Sequence, residues 1–166
     1  YDNYHVPWGS TNEETLTLVE HNDFIGGQYL WTGFDYLGEP IPYSWPARSS
    51  FFGIVDLAGF PKDVYYMYQS VWRKDIDVLH LFPHWNWNEG DVVDVWTYYN
   101  NADRVELFVN GVSAGMRRKV SYEEIETGKI PSTKMLDMST EYHCCWRIPY
   151  SPGEIRAVSY KDGKVV

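Results

Sequence analysis

The chain has 166 residues, with 23 Asp and Glu against 14 Lys and Arg, giving a formal net charge of −9. Affinity for nucleic acid comes mainly from Lys and Arg neutralising phosphates, so this balance argues against a nucleic-acid partner and, by the same reasoning, against an anionic membrane surface. No apolar run approaches the ~20 residues of a membrane-spanning helix, and no signal-peptide pattern is visible.

The length suits one domain or two small ones. The chain begins at Tyr1 rather than Met, which suggests a fragment or a processed product. Eight Trp and fourteen Tyr make it rich in rings that pair an apolar face with a polar edge. Such rings suit cores, domain contacts and sugar binding alike, and the first two uses account for most of them.

Residues 1–9 are aromatic and irregular, with Pro7 and Gly9 marking a loop. A helix is expected over about 12–22. Ser10 with Glu13, and Thr11 with Glu14, are both capping-box candidates, and Leu16 and Val19 supply an apolar stripe. The apolar run over 24–32, with Phe24, Ile25, Tyr29, Leu30 and Trp31, predicts a strand buried on both faces. It opens into a loop over 33–60 that is broken by Gly33, Gly38, Gly53 and Gly59 and by three prolines. A loop this long is usually functional or disordered. Its rings (Phe34, Tyr36, Tyr43, Trp45, Phe51, Phe52) argue against disorder. Arg48, its sole cation, either pairs with a loop carboxylate or is solvated.

A second helix is expected from near Pro61, a residue suited to a first helical turn, with Asp63 at its positive end. Val64, Tyr65, Tyr68, Val71 and Trp72 form its core-facing stripe. After a charged linker over 73–77 the pattern changes to period two. Strands are expected over 78–82, 92–99, 104–109, 142–148 and 154–160. Asn110–Gly111 and Asp162–Gly163 are hairpin turns, the second leading into a strand cut short after Lys164. This spacing indicates a β-sandwich. Residues 116–139 read as a long connection with a short helical turn over 122–125.

Cys144 and Cys145 are adjacent, and neighbouring strand residues point to opposite faces, so a bridge between them is not expected. The five histidines show no zinc-site spacing, and no metal site is expected.

The segment LWTGFDYLGEP and the following PYSWPARSSFFGIVDLAGFPKDVYYMYQSVW resemble the end of the catalytic barrel in family 2 glycoside hydrolases of the β-galactosidase type. LHLFPHWNW, VDVWTYYNNADRVELFVNG and WRIPYSPGEIRAVSYKDGK resemble the immunoglobulin-like domain that follows it in many of these enzymes. The fold implied is mixed α/β and all-β. Residues 1–75 would be the C-terminal portion of a (β/α)8 barrel of the TIM type: a helix, the eighth strand, a long loop and the eighth helix. Residues 76–166 would be an immunoglobulin-like β-sandwich with a truncated last strand.

The resemblance also implies chemistry for the parent protein: hydrolysis of β-galactosides with retention of configuration, with no cofactor. Retaining glycosidases use two carboxyl groups about 5–5.5 Å apart. In the resembled family both are glutamates on the fourth and seventh barrel strands, upstream of this chain, so no catalytic residue is expected here and the chain alone should be inactive. Trp31 matches the tryptophan that floors the galactose pocket. Asp35 and Glu39, on the same loop, could position substrate or order the loop. Trp85 and Trp87 could shape the edge of the site or belong to the contact between domains, the latter being favoured. The expected partners are a β-galactoside and the rest of the parent chain, and by analogy the parent would be periplasmic or secreted. The competing reading is a stand-alone carbohydrate-binding or protein-interaction sandwich without catalysis.

Overall fold

A computed structural model describes residues 2, 5–40, 43–127 and 139–166. The loop expected over 1–9 is therefore described only in part, and residues 128–138 of the expected connection lie outside the described residues. The chain divides into two compact units, Tyr1–Tyr66 and Met67–Val166.

In the first unit, α1 spans Asn12–Glu20 and starts with a capping box. The Thr11 hydroxyl accepts from the Glu14 N–H, and the Glu14 carboxylate accepts from the Thr11 N–H. Two orphan donors of the helix start are thereby satisfied at once. Asp2 takes two more, accepting from the backbone N–H of Asn12 at 3.0 Å and of Glu13 at 2.6 Å.

The run over 24–32 corrects the expectation of a buried strand: it forms no ladder, and Phe24, Tyr29 and Trp31 are 84%, 105% and 72% exposed. Hydrophobicity of the strand type is necessary for a strand but not sufficient. A strand exists through pairing with a neighbour, and in this chain regular pairing begins only at Thr32. There Thr32 N–H donates to Phe52 O, Ile54 N–H to Thr32 O, Val55 N–H to Gly33 O and Asp35 N–H to Val55 O, at 2.9–3.3 Å. Isolated bridges join Phe34 to Val55 in parallel and Leu37 to Ser49 in antiparallel fashion. The long loop is thus ordered by backbone pairing that stays too short to count as strands.

Helix α2 spans Asp63–Trp72, beginning two residues after Pro61, and the division between the units falls inside it. Its second half buries Met67, Tyr68 and Ser70. The charged linker that follows is tied down by Asn100, whose side-chain amide donates to Arg73 O and Ile76 O and accepts from Val78 N–H.

The rest of the second unit holds two antiparallel sheets. One has the order β1-β2-β5, formed by Leu79–Phe82, Val92–Tyr99 and His143–Pro149. The other has the order β4-β3-β6-β7, formed by Val112–Arg117, Arg104–Val109, Ile155–Lys161 and Lys164–Val165. The inward residues Val93, Val95, Tyr99, Val105, Leu107, Cys144 and Trp146 make one core drawn from both sheets. The hairpin turns have the positive φ of the primed type, 50° and 79° at Asn110 and Gly111 and 50° and 74° at Asp162 and Gly163. Cys144 and Cys145 are buried and unbridged. The short helix α3, Tyr122–Glu126, carries its own capping box from Ser121 and Glu124. Among the described residues no helix is long and apolar enough to cross a membrane.

Candidate functional site

The three residues singled out from the sequence lie on one short stretch of the first unit, and the structure gives them different surroundings. Trp31 is 72% exposed, and its ring meets Tyr36 edge-on with centroids 6.3 Å apart. The Tyr36 hydroxyl donates to the Glu39 carboxylate. That hydrogen bond, more than desolvation, holds the Tyr36 phenol above its ordinary pKa, and a hydrogen bond with Trp31 opposes the shift. Glu39 is exposed and sits at a positive φ of 43°, next to Gly38 at 89°. The tight turn at 38–39 brings the carboxylate back over Tyr36. Together these side chains present an indole face beside a phenol and a carboxylate. That arrangement can cover the C–H face of a sugar while meeting its hydroxyls.

Asp35 is placed differently. Its side chain is 6% exposed and forms an ion pair with Lys62, Oδ2 to Nζ being 2.7 Å. Its Oδ1 accepts from Lys62 Nζ at 2.9 Å and from Gly53 N–H at 2.8 Å. Lys62 Nζ also donates to Phe51 O at 3.2 Å. Of the two roles open to Asp35, ordering the loop is the one its contacts serve.

Gly53 is required at this point. A Cβ there would lie 2.2 Å from Asp35 N, 2.4 Å from Phe34 C and 2.7 Å from Val55 O, all backbone atoms. Ser50, fully buried, completes the scaffold by accepting from Tyr36 N–H through its hydroxyl, and its own N–H donates to Tyr36 O. Arg48 lies over the Trp45 ring at 5.0 Å, a cation–π contact. Sequence reasoning did not single out Lys62, Ser50 or Gly53. Lys62 is 27 residues from its partner, and the one available signal was an Asp with no cation but Arg48 in its own loop. Among the described residues no group of three or more His, Cys, Asp or Glu could hold a metal ion.

A family described as a domain of unknown function, DUF4982, matches residues 90–166. The whole chain is 58% identical over 166 residues to the β-galactosidase BoGH2A of Bacteroides ovatus, of whose length it spans 17%. A putative β-glucuronidase of Formosa agariphila is 40% identical over 154 residues, which cover 90% of this chain and 13% of that protein. In structure, the chain aligns over its full length with 18% of a β-glycosidase from Bacteroides vulgatus, at a TM-score of 0.78 and 36% identity. The chain spans less than a fifth of the length of each of these proteins. Over its whole length it is similar to glycoside hydrolases of family 2, whose members here include a β-galactosidase and β-glucuronidases.

Proposed function

We propose that this chain is part of a retaining β-galactosidase, to which it contributes a sugar-binding rim and an accessory immunoglobulin-like sandwich. The observation that carries the reading is the 58% identity to a β-galactosidase along the entire chain. In this reading residues 1–75 complete a (β/α)8 barrel and the catalytic glutamates lie elsewhere in the parent. The rim is Trp31, steadied by Tyr36 and Glu39; given strand neighbours from the parent to pair with, residues 24–32 would bring it to the end of a barrel strand, where active sites of that fold lie. Asp35 and Lys62 hold the loop that carries it. The exposed rings of the first unit, among them Phe24, Tyr29 and Phe34, would meet the rest of the parent, which is this chain's first partner. The substrate is the second. The chain by itself would be inactive.

The test is Trp31→Ala in the full-length parent, reading kcat/KM on a chromogenic β-galactoside together with the melting temperature. By analogy with stacking on bases, loss of an aromatic platform removes about 1–3 kcal/mol, so kcat/KM should fall roughly ten- to a hundredfold, with melting unchanged. A variant that melts early yet turns over normally while folded would show Trp31 to be a packing residue. Parallel assays on a β-glucuronide decide the sugar.

A further inference from the structure

The second unit displays a ring that its own core does not use. In the loop over 83–91, Trp85 packs against the core, its ring 5.1 Å from that of Tyr150, and its indole N–H donates to Ser151 O. Trp87, two residues on, stays 37% exposed. It is nonetheless fixed. Its indole N–H donates to His84 O at 2.8 Å, and the His84 ring stacks on it at 4.9 Å and 10° from parallel. The loop beneath is closed by Asn88 N–H to Asp91 Oδ2, Asp91 N–H to Asn88 O and Tyr150 N–H to Asp91 O, at 2.8–3.1 Å. Gly90, at φ 94°, makes the turn. An exposed indole already locked in orientation loses little entropy when a ligand lies on it. Its neighbours in the loop, Asn86, Asn88 and Glu89, are exposed hydrogen-bonding side chains, and the loop contains no Lys or Arg.

We propose that this loop is a carbohydrate-binding platform, with Trp87 as the stacking ring and His84 as its support, and that it takes neutral glycosyl residues. The sugar class rests on the glycosidase reading above. The preference for neutral over uronic residues rests on the loop itself, where Glu89 and Asp91 would repel a carboxylate and no Lys or Arg of the loop would receive it.

The experiment uses the full 166-residue chain labelled with 15N. The Trp87 indole N–H signal is identified by its loss in Trp87→Phe. It should move on titration with a neutral β-linked galacto-oligosaccharide and stay still with an oligosaccharide of glucuronic acid. Trp87→Ala should weaken binding roughly ten- to a hundredfold, and Trp87→Tyr, which keeps a ring, should recover most of it. A Trp87 signal unmoved by the neutral sugar overturns the platform, as does binding undiminished in Trp87→Ala. An equal response to glucuronic acid overturns the preference for neutral sugars. If the longer enzyme hydrolyses β-galactosides while Trp87 stays unmoved, the platform falls and the glycosidase reading stands. If Trp87 moves and the longer enzyme is inert, the reverse holds.

Discussion

The ion pair under the loop is unequal, and that inequality makes a sharp prediction. The Asp35 side chain is 6% exposed, that of Lys62 31%. Lys62→Met leaves a buried carboxylate with the Gly53 N–H as its remaining donor in the pair. Breaking a buried pair by removing one partner costs about 3–5 kcal/mol. Water reaches Lys62 and screens part of the pair, so we expect the lower end, about 3 kcal/mol. Asp35→Asn should be milder, about 1–2 kcal/mol, because the amide oxygen can still accept from Gly53 N–H and the freed ammonium can turn into water. The double variant should be less damaged than Lys62→Met alone, since no charge is left buried. Hydrogen exchange at the Gly53 and Val55 amides reads this locally, because both donate within the pinned segment. About 3 kcal/mol corresponds to roughly 150-fold faster exchange. Protection in Lys62→Met within about threefold of wild type would refute the reasoning, as would a double variant worse than Lys62→Met.

Gly53→Ala should also be damaging, by about 2–3 kcal/mol, because the new methyl meets backbone atoms that no rotamer change can move; exchange at the Asp35 and Val55 amides reports it. Asn110→Ala should destabilise the second unit by about 1–2 kcal/mol in urea unfolding, since it loses the side-chain bonds to Ser151, Pro152 and Glu154 and a residue suited to positive φ. Arg118 holds the Glu124 carboxyl down from 4.5 to about 2. A carboxyl with a lowered folded-state pKa adds stability above its unfolded pKa and loses it as pH falls, so α3 should loosen between about pH 4.5 and 2. An NMR titration should place the Glu124 midpoint near 2, rising toward 4.5 in Arg118→Ala.

The sandwich was legible because its instructions are local. The strands Val92–Tyr99 and Arg104–Val109 fall where period-two patterning places them, and the Asn110–Gly111 turn sets the first hairpin pairs, Val109 with Val112 and Phe108 with Ser113, before the register shifts at Leu107. The capping box at Thr11 and Glu14 is equally local. The run over 24–32 shows the limit. Its composition is that of a buried strand, but burial and pairing are properties of neighbours, and no neighbouring strand is described beside it. The site was legible in the same measure. Trp31 and Glu39 stand out through their loop and the family likeness. The Asp35–Lys62 pair and the Gly53 close approach span 27 and 18 residues, which no local pattern encodes.

The loop that carries Trp31 inverts the usual arrangement of a folded chain. Polar residues lie within it, Asp35 at 9% and Ser50 at 0% exposure, while Trp31, Phe34 and Trp45 lie outside at 72%, 64% and 78%. An exposed apolar side chain is ordinary; buried polar groups and a large exposed apolar patch are the informative observations. Here both occur in one loop, and each explains the other. Hydrogen bonds through Asp35, Ser50 and Lys62 give the loop a polar skeleton, so its shape does not depend on burying its own rings. The rings are then free to meet something else. For Phe34 and Trp45 that is, in our proposal, the remainder of the enzyme. Trp45 already carries Arg48 over its ring, whereas Trp31 has beside it the Tyr36 phenol, itself bonded to the Glu39 carboxylate, and that pair of hydrogen-bonding groups next to an uncovered indole suits a sugar.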